Sequence, residues 1–424
     1  MGVGVQLCVM MFLQFFVWGA WWVTLGNYMQ TESVGMRDSI YWAYLTAPIG
    51  AVVSPFFLGM VADRFFATER VLGTLHLIGG ALLLVAPTFA EGANASPLLF
   101  VSLLLLHMLC YMPTLGLTNT LAFHNLTNQE KQFPMIRVFG TLGWIVANIV
   151  VSDWLKADFV KTPILVAGVA GVIMGLYSFT LPHTPPPSAG KQASVREIIG
   201  LDALTQLSSG SFWVFIISSL LVCIPLSAYY AYAPVFLGAA GVEQPAATMK
   251  WGQISEVGFM VLMPLFFVRL GVKWMLIVGI FAWVSRYALF AVAAPSEIFW
   301  MMFVGVLLHG ICYDFFFVTG QIYVDKKAHP AIRGQAQGFL VLSTLGVGML
   351  VGTFVSGRLF KEIVTGEGAE ALNQYQTFWA IPAVGALAIM VVFALLFRET
   401  LPDAGDIQVD EEEVAEAAAR ELGP

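Results

Sequence analysis

Four ionisable side chains stand inside long apolar stretches of this sequence: Arg137, Glu256, Arg286 and Asp314. An ionisable group at the centre of a membrane helix costs roughly 2.5–3.5 kcal/mol on insertion scales, so such a residue usually faces the protein interior and has a role. We expect Glu256 or Asp314 to take up a proton, because burial favours a neutral carboxylic acid while a nearby arginine favours the ionised form. The alternative is a static ion pair that only joins helices. Arg286 lies midway along its stretch, and we expect it to fix helix packing.

Polar and aromatic residues accompany these charges at helical spacing. The expected site residues form three stripes: Arg137, Thr141 and Trp144; Gln253 and Glu256; and His309, Tyr313 and Asp314. Residues three or four positions apart share one helix face. Aromatic rings beside amide, hydroxyl and carboxylate groups suit a nucleobase or a sugar. Because tryptophan and tyrosine are also common at membrane interfaces, the rings support this interpretation only together with their polar neighbours.

The elements that position these stripes are membrane helices. The 424 residues are 58% hydrophobic and 11% charged, whereas a soluble domain averages roughly 45–50% apolar and about 25% charged residues. The surplus apolar surface needs lipid, and about 20 residues per crossing leave room for roughly a dozen spans. Apolar stretches of that length fall near residues 6–29, 40–62, 70–90, 97–124, 135–153, 162–181, 211–238, 247–269, 272–293, 297–324, 331–357 and 374–398.

A polar interval divides these stretches six and six. We expect an N-terminal six-helix bundle over residues 1–182, a cytoplasmic linker over 183–210, a C-terminal six-helix bundle over 211–398 and an acidic cytoplasmic tail over 399–424. Short charged turns follow the second and eighth stretches, and an arginine followed by small and polar residues opens the fifth and the eleventh. Such a parallel repeat is the major facilitator plan, with the substrate bound near the midplane between the halves. The sequence therefore predicts an all-α integral membrane protein of the major facilitator fold, with 12 transmembrane helices in two pseudo-symmetric bundles.

The distribution of lysine and arginine indicates the orientation. The excess of these residues in alternate loops favours placing both termini in the cytoplasm. The sequence contains no nucleotide-binding loop of the Walker type, no nucleophile elbow and no zinc-binding helix, so we expect neither an enzyme nor a cofactor. The four cysteines are scattered singly, without the spacing of metal ligands. We expect no metal and no nucleic-acid partner, and a monomer in the lipid bilayer.

Several segments resemble, in their order and spacing, the bacterial nucleoside:proton symporters, a branch of the major facilitator superfamily. The segments are Phe12-Leu13-Gln14-Phe15, Trp18-Gly19, Tyr111-Met112-Pro113-Thr114-Leu115-Gly116-Leu117, Arg137-Val138-Phe139-Gly140, Gln253-Ile254-Ser255-Glu256, Tyr313-Asp314-Phe315-Phe316 and Pro330-Ala331-Ile332-Arg333. The likeness runs to about Arg398. It implies proton-coupled uptake of nucleosides across the bacterial cytoplasmic membrane by alternating access. It also puts Arg137, Thr141, Trp144, Gln253, Glu256, Tyr313 and Asp314 on or beside the family's nucleoside site.

Two positions depart from that resemblance. A permease of the family has a tyrosine at the position aligned with His309, and its seventh span offers glutamine and asparagine to the ligand. The corresponding stretch here, 223–230, has neither amide, although Ser227 and Tyr230 could substitute. A proton-coupled sugar or oligosaccharide symporter of the same superfamily, and a non-transporting membrane receptor, are the two alternatives.

Overall fold

The protein is built of helices that are long and apolar enough to cross a membrane. A computed structural model describes residues 2–58, 65–127, 129–186, 207, 209–328 and 332–398. We label the helices α1 Val3–Met29, α2 Arg37–Phe57, α3 Thr68–Phe89, α4 Pro97–Asn125, α5 Met135–Trp154, α6 Thr162–Ser178, α7 Gly210–Ala239, α8 245–270, α9 272–296, α10 Phe299–Lys327, α11 Gln335–Ile363 and α12 Gly368–Leu396. No strand occurs among the described residues, which agrees with the predicted all-α class.

Helices α8 and α9, both within Pro245–Ser296, are separated by a kink at Gly271. Gly271 has φ 66° and ψ 176°, a non-helical conformation that glycine adopts far more readily than other residues. The sequence predicted a short charged turn between two spans at this place. Among the described residues, ten helical segments satisfy the length and hydropathy expected of a span, with Pro245–Ser296 counted once, and α6 is a shorter apolar helix of 17 residues. The count of twelve spans stays a prediction.

Most helices pack against partners from their own half of the sequence. In the first half α1 packs on α5 and α6, and α3 packs on α4 and α6; in the second half α7 packs on α11 and α12. The α1–α5 contact is close because Gly143 has no side chain, and a Cβ there would collide with the carbonyl oxygen of Phe12. This approach sets the depth at which the α5 stripe lies beside α1.

The two halves also touch, and three pairs of helices meet near one end of the bundle. Between α1 and α7, the amide of Asn27 donates to the carbonyl of Pro234 at 3.1 Å. Beside α2 and α11, Arg37 donates to the carbonyl of Val364 at 2.8 Å. The third contact, which we call the latch, joins the end of α5 to the start of α8 through Ser152, Asp153 and Asp158 on one side and Ala246, Ala247 and Lys250 on the other. These contacts close one end of the interface between the halves.

Some predicted features lie outside the described residues. They are the charged turn at 59–64, the greater part of the linker 183–210 and the acidic tail 399–424.

Candidate substrate and proton site

Arg137 of α5 carries a positive charge into the interface between the halves. Its guanidinium carbon lies 4.1 Å from the ring centroid of Phe15 on α1, a cation–π contact worth roughly 0.5–2 kcal/mol. Gly140 gives it room, because a Cβ there would lie 2.6 Å from Nη1 of Arg137. The guanidinium also interacts electrostatically with Glu256 and Tyr313 of the other half. The first stripe therefore reaches the other two across the interface.

Trp144 forms an aromatic wall with α1. Its ring meets that of Trp18 edge to face, with centroids 5.6 Å apart, and a Cβ at Gly19 would lie 3.0 Å from Cα of Trp144. Trp18 in turn packs edge to face on Tyr111 of α4, also at 5.6 Å. Thr141 is half-buried one turn after Arg137 and precedes this wall. The α5 stripe thus presents a charge, a hydroxyl and a ring in succession.

A buried polar network supports this wall from behind. The side-chain amide of Gln14 donates to the hydroxyl of Thr114 at 2.7 Å, and Nε2 of His76 donates to Oε1 of Gln14 at 2.7 Å. The hydroxyl of Tyr111 donates to the backbone carbonyl of Gln14 at 2.6 Å. Because fully satisfied buried networks rigidify a core, these contacts hold Tyr111, and with it Trp18, in place.

Glu256 of α8 and His309 of α10 lie side by side. Oε2 of Glu256 is 3.6 Å from Nε2 of His309, and the two side chains are 17% and 2% exposed. Ser255 ties the two helices together: its hydroxyl donates to the carbonyl of Leu307 at 2.7 Å and accepts the N–H of Gly310 at 3.0 Å. The α-helix of α10 is interrupted at this point, between Leu307 and His309. Backbone contacts therefore fix the relative position of the carboxylate and the imidazole.

Asp314 is fully buried and opens a π-helical turn, Asp314–Val318, in α10. Neither of its carboxyl oxygens has a hydrogen-bond partner among the described residues, and the side chain interacts electrostatically with Glu256. Single π-helical turns inside α-helices are frequent at functional sites. Burying an unpaired carboxylate is unfavourable, and binding a proton removes that cost. The site therefore contains an acid with a physical reason to accept a proton.

The remaining predicted residues surround this acid. Tyr313 lies with its ring centroid 5.9 Å from that of His309, and it interacts electrostatically with Arg137, Glu256 and Asp314. Gln253, one turn before Glu256, has a buried Oε1 without a hydrogen-bond partner among the described residues. The three stripes thus come together as charged, polar and aromatic groups from both halves.

The structure separates the two residues of α7 that could replace the missing amides. Ser227 is occupied elsewhere, since its hydroxyl donates to the carbonyl of Ile224 at 2.7 Å and lies 3.2 Å from the hydroxyl of Ser356 on α11. Tyr230 meets the ring of His309 edge to face at 6.1 Å. Its neighbour Tyr229, to which the sequence drew no attention, stacks on the same imidazole at 5.3 Å. The feature of the sequence that could have indicated this contact is the pair of adjacent tyrosines in an apolar span.

The sequence comparisons identify the family. A family model described as nucleoside H+ symporter matches residues 1–401. The chain belongs to the nucleoside H+ symporter family. This membership confirms the predictions of a transporter and not an enzyme, and of proton-coupled nucleoside uptake. It also confirms a multi-pass protein of the bacterial inner membrane.

Individual members of the symporter family show how far the likeness extends. YegT of Escherichia coli strain K12 is 35% identical, over 97% of this chain and 97% of YegT. The nucleoside permease NupG of the same organism is 32% identical, over 94% of this chain and 96% of NupG. The crystal structure of the nucleoside transporter NupG matches the fold with a TM-score of 0.82 at 30% identity, covering 94% of this chain and 100% of that one. The predicted major facilitator fold is therefore confirmed.

Proposed function

We propose that nucleoside and proton meet at the cluster formed by Arg137, Glu256, His309, Tyr313 and Asp314. The observation that carries this proposal is the buried Asp314 carboxyl, which lacks a hydrogen-bond donor among the described residues. It interacts with Glu256, which in turn interacts with Arg137 of the other half. A group that gains or loses a proton here changes the attraction between the halves, which is what proton-driven alternating access requires.

The other residues of the three stripes hold the nucleoside. Arg137, Gln253 and Thr141 offer hydrogen bonds to the polar groups of ribose and base. Trp144 and Tyr313 pack on the rings, and any nucleobase has a π-face for such stacking. The 32% identity with a nucleoside permease over nearly the whole chain supports this choice of ligand.

Either Glu256 or Asp314 carries the coupled proton. With both carboxylates ionised, Glu256 is attracted to Arg137 while Asp314 remains an unpaired buried charge. Protonation removes one of these charges, and an intramembrane charge is costly to move through a dry interface. The protonated, nucleoside-loaded site is therefore the form in which the halves rearrange to carry the nucleoside inward.

The latch lies on the outer side in this proposal. The bias of lysine and arginine towards alternate loops supports cytoplasmic termini, and α1 then runs from inside to outside. The two bundles, 1–182 and 211–398, rock against each other, with the linker 183–210 and the tail 399–424 in the cytoplasm. All the proposed site residues belong to one chain, so a monomer is sufficient for transport.

Uptake by purified protein in liposomes tests the proposal. Labelled uridine or adenosine should accumulate under an inward-directed proton gradient, whereas unlabelled sugars should not compete. Glu256→Gln and Asp314→Asn should each be compared with Glu243→Gln, which removes the charge of an exposed carboxylate between α7 and α8.

We expect at least one of the two site variants to lose gradient-driven accumulation while nucleoside counterflow, which needs no net proton movement, persists. Accumulation with full gradient dependence in both site variants would remove both carboxylates as proton carriers. Absence of nucleoside uptake by the unmodified protein would refute the choice of substrate.

A further inference from the structure

Arg286 of α9 is fully buried although it lies outside the three stripes. Its Nε donates to the carbonyl of Gly305 at 2.9 Å, but Nη1 and Nη2 have no hydrogen-bond partner in the part of the chain that the structure describes. A hydrophobic side chain of similar volume packs as well as a buried ion and often better. Simple packing therefore does not account for an arginine at this position.

Tyr229 connects this charge to the site. The guanidinium carbon of Arg286 lies 3.9 Å from the centroid of the Tyr229 ring. That ring stacks on the imidazole of His309, with centroids 5.3 Å apart and 18° between the planes. The guanidinium carbon is 3.9 Å from the Tyr229 centroid, and that centroid is 5.3 Å from the His309 centroid, so the positive charge lies at most about 9.2 Å from the centre of the imidazole.

The hydrogen bonding of His309 favours a neutral ring. An imidazolium donates from both nitrogens, whereas a neutral imidazole donates from only one. Nε2 faces Glu256 at 3.6 Å, but Nδ1 is buried and has no acceptor among the described residues. One proton, on Nε2, satisfies the geometry, and a second proton on Nδ1 would be left without a partner.

We propose that Arg286 is a positioning residue for the coupled proton. Through its charge and its contact with Tyr229 it keeps His309 neutral, so that the transported proton resides on a carboxyl group, that of Glu256 or Asp314. This inference rests on the proposed role of these two carboxyl groups. A proton on His309 would instead create a buried ion pair with the Glu256 carboxylate 3.6 Å away. Removing the proton from such a pair would leave the carboxylate as an uncompensated buried charge, which is strongly unfavourable. The pair would therefore retain the proton that the cycle has to release.

The charged groups around His309 are consistent with a neutral imidazole and a proton on a carboxyl group. The titratable and charged groups of the surrounding helices are Arg137 on α5, Tyr229 and Tyr230 on α7, Glu256 on α8, Arg286 and Tyr287 on α9, and Cys312, Tyr313 and Asp314 on α10. The two arginines balance the two carboxylates when His309 is neutral. A proton on one of the carboxylates adds one positive charge to this set, and a further proton on the buried His309 would add a second.

The pH profile of nucleoside counterflow tests the inference in five proteins: the unmodified chain, Arg286→Met, Arg286→Lys, His309→Tyr and Arg286→Met combined with His309→Tyr. A unit charge at about 9 Å in an effective dielectric of about 20 changes a protonation equilibrium by roughly 20-fold, or about 1.3 pH units. In Arg286→Met, His309 binds a proton more readily, so we expect the acid limb of the profile to move up by about 1.3 pH units. Arg286→Lys retains the charge and should retain the position of the limb.

The double variant separates a positioning role from a purely structural one. Tyrosine at position 309 takes up no proton in this range, so removing Arg286 should leave the acid limb of the His309→Tyr protein where it is. An unchanged limb in Arg286→Met, or an equal shift with tyrosine at 309, would overturn the inference while leaving nucleoside transport intact. Loss of counterflow in the unmodified chain would refute the proposed function instead.

Imidazole NMR of the unmodified, ¹⁵N-histidine-labelled protein keeps the inference testable if Arg286→Met does not fold. The signals that disappear in His309→Tyr belong to His309. We expect a neutral ring at about pH 6, where a free imidazole is mostly charged. An imidazolium signal from His309 at that pH would contradict the proposal.

Discussion

Asp158 of the latch offers the sharpest test of how the halves are held together. The side chain is 1% exposed, and its Oδ2 accepts the backbone N–H of Ala246 at 2.8 Å. The hydroxyl of Ser152 accepts the next N–H, that of Ala247, at 2.9 Å. The first four N–H groups of a helix have no partner within the helix. The first half of the protein thus supplies acceptors for the helix that bears Glu256.

Asp158→Ala should shift the protein towards states in which this end is open. The substitution leaves the N–H of Ala246 buried without an acceptor in the closed state, whereas water can reach it once the end opens. Loss of a helix-capping side chain costs about 0.5–2 kcal/mol, and an unsatisfied buried donor costs roughly 1–3 kcal/mol. If the substitution destabilises the closed state by about 1–2 kcal/mol, the ratio of closed to open molecules should fall roughly 5- to 30-fold.

Asp158→Asn is the matched control, because asparagine keeps an oxygen acceptor and removes the charge. Burial raises the pKa of Asp158 above its ordinary value, although the N–H of Ala246 acts in the opposite direction. The closed state therefore binds a proton at Asp158 more readily than a solvated open state does. Closure is favoured at low pH and becomes less favourable as the pH rises through the raised pKa. Asp158→Asn should stay closed at neutral pH and lose this contribution to the pH dependence.

Electron–electron distance measurements across the latch read out this equilibrium. Spin labels attached through keto amino acids at Lys156 and Glu243, both exposed, leave the four native cysteines unmodified. We expect a single short distance in the unmodified protein and in Asp158→Asn, and an added longer distance in Asp158→Ala. Equal distance distributions in all three proteins would refute the claim that this hydrogen bond holds the outer end closed.

Three further predictions concern single contacts. Lys250→Ala removes the partly exposed ion pair with Asp153; such pairs are worth about 0–1 kcal/mol, so the same distance measurement should show a smaller shift than with Asp158→Ala. Gly310→Ala places a Cβ 2.6 Å from the backbone of α8, and overpacking of this kind costs about 1–3 kcal/mol, so the melting temperature should fall. Gly258→Ala is the control, because a Cβ there has no atom within 4 Å, and its melting temperature should not fall. Equal melting temperatures for the two variants would contradict the close approach of α10 to α8. Trp144→Ala should weaken nucleoside binding by roughly 5- to 150-fold, the equivalent of about 1–3 kcal/mol of ring stacking. Trp144→Phe keeps an aromatic ring and should weaken binding much less. Equal titration curves for the two variants would show that no base stacks on this residue.

The fold was largely predictable because hydropathy and repeat spacing report directly on membrane helices. The described helices lie close to the predicted stretches, and Gly271 falls in the predicted turn. The sequence could not show how short this turn is, because the φ and ψ angles of a single glycine make the break between α8 and α9. The prediction for α6 extended to residue 181, whereas the helix ends at Ser178, since apolar residues continue past a helix end.

The candidate site was predictable only as separate stripes. Helical spacing places Gln253 on the same face as Glu256, but it says nothing about the rotation of one helix against another. The contact between Glu256 and His309 therefore required the structure. The contact of Tyr229 with His309 also required the structure, because a tyrosine in an apolar span can face lipid, another helix or a ligand. Residue spacing also could not show which way Ser227 points. In the structure its hydroxyl bonds to the backbone of its own helix and lies against Ser356 of α11.

Proton movement driven by nucleoside alone tests the central claim most directly. Purified protein in liposomes loaded with a pH-sensitive dye, without any imposed proton gradient, receives uridine or adenosine from outside. Coupled transport predicts acidification of the lumen that is saturable in nucleoside, is collapsed by a protonophore and is lost when the carrier carboxylate is neutralised, either as Asp314→Asn or as Glu256→Gln. Entry of labelled nucleoside to equilibrium without any change in lumenal pH would contradict the account.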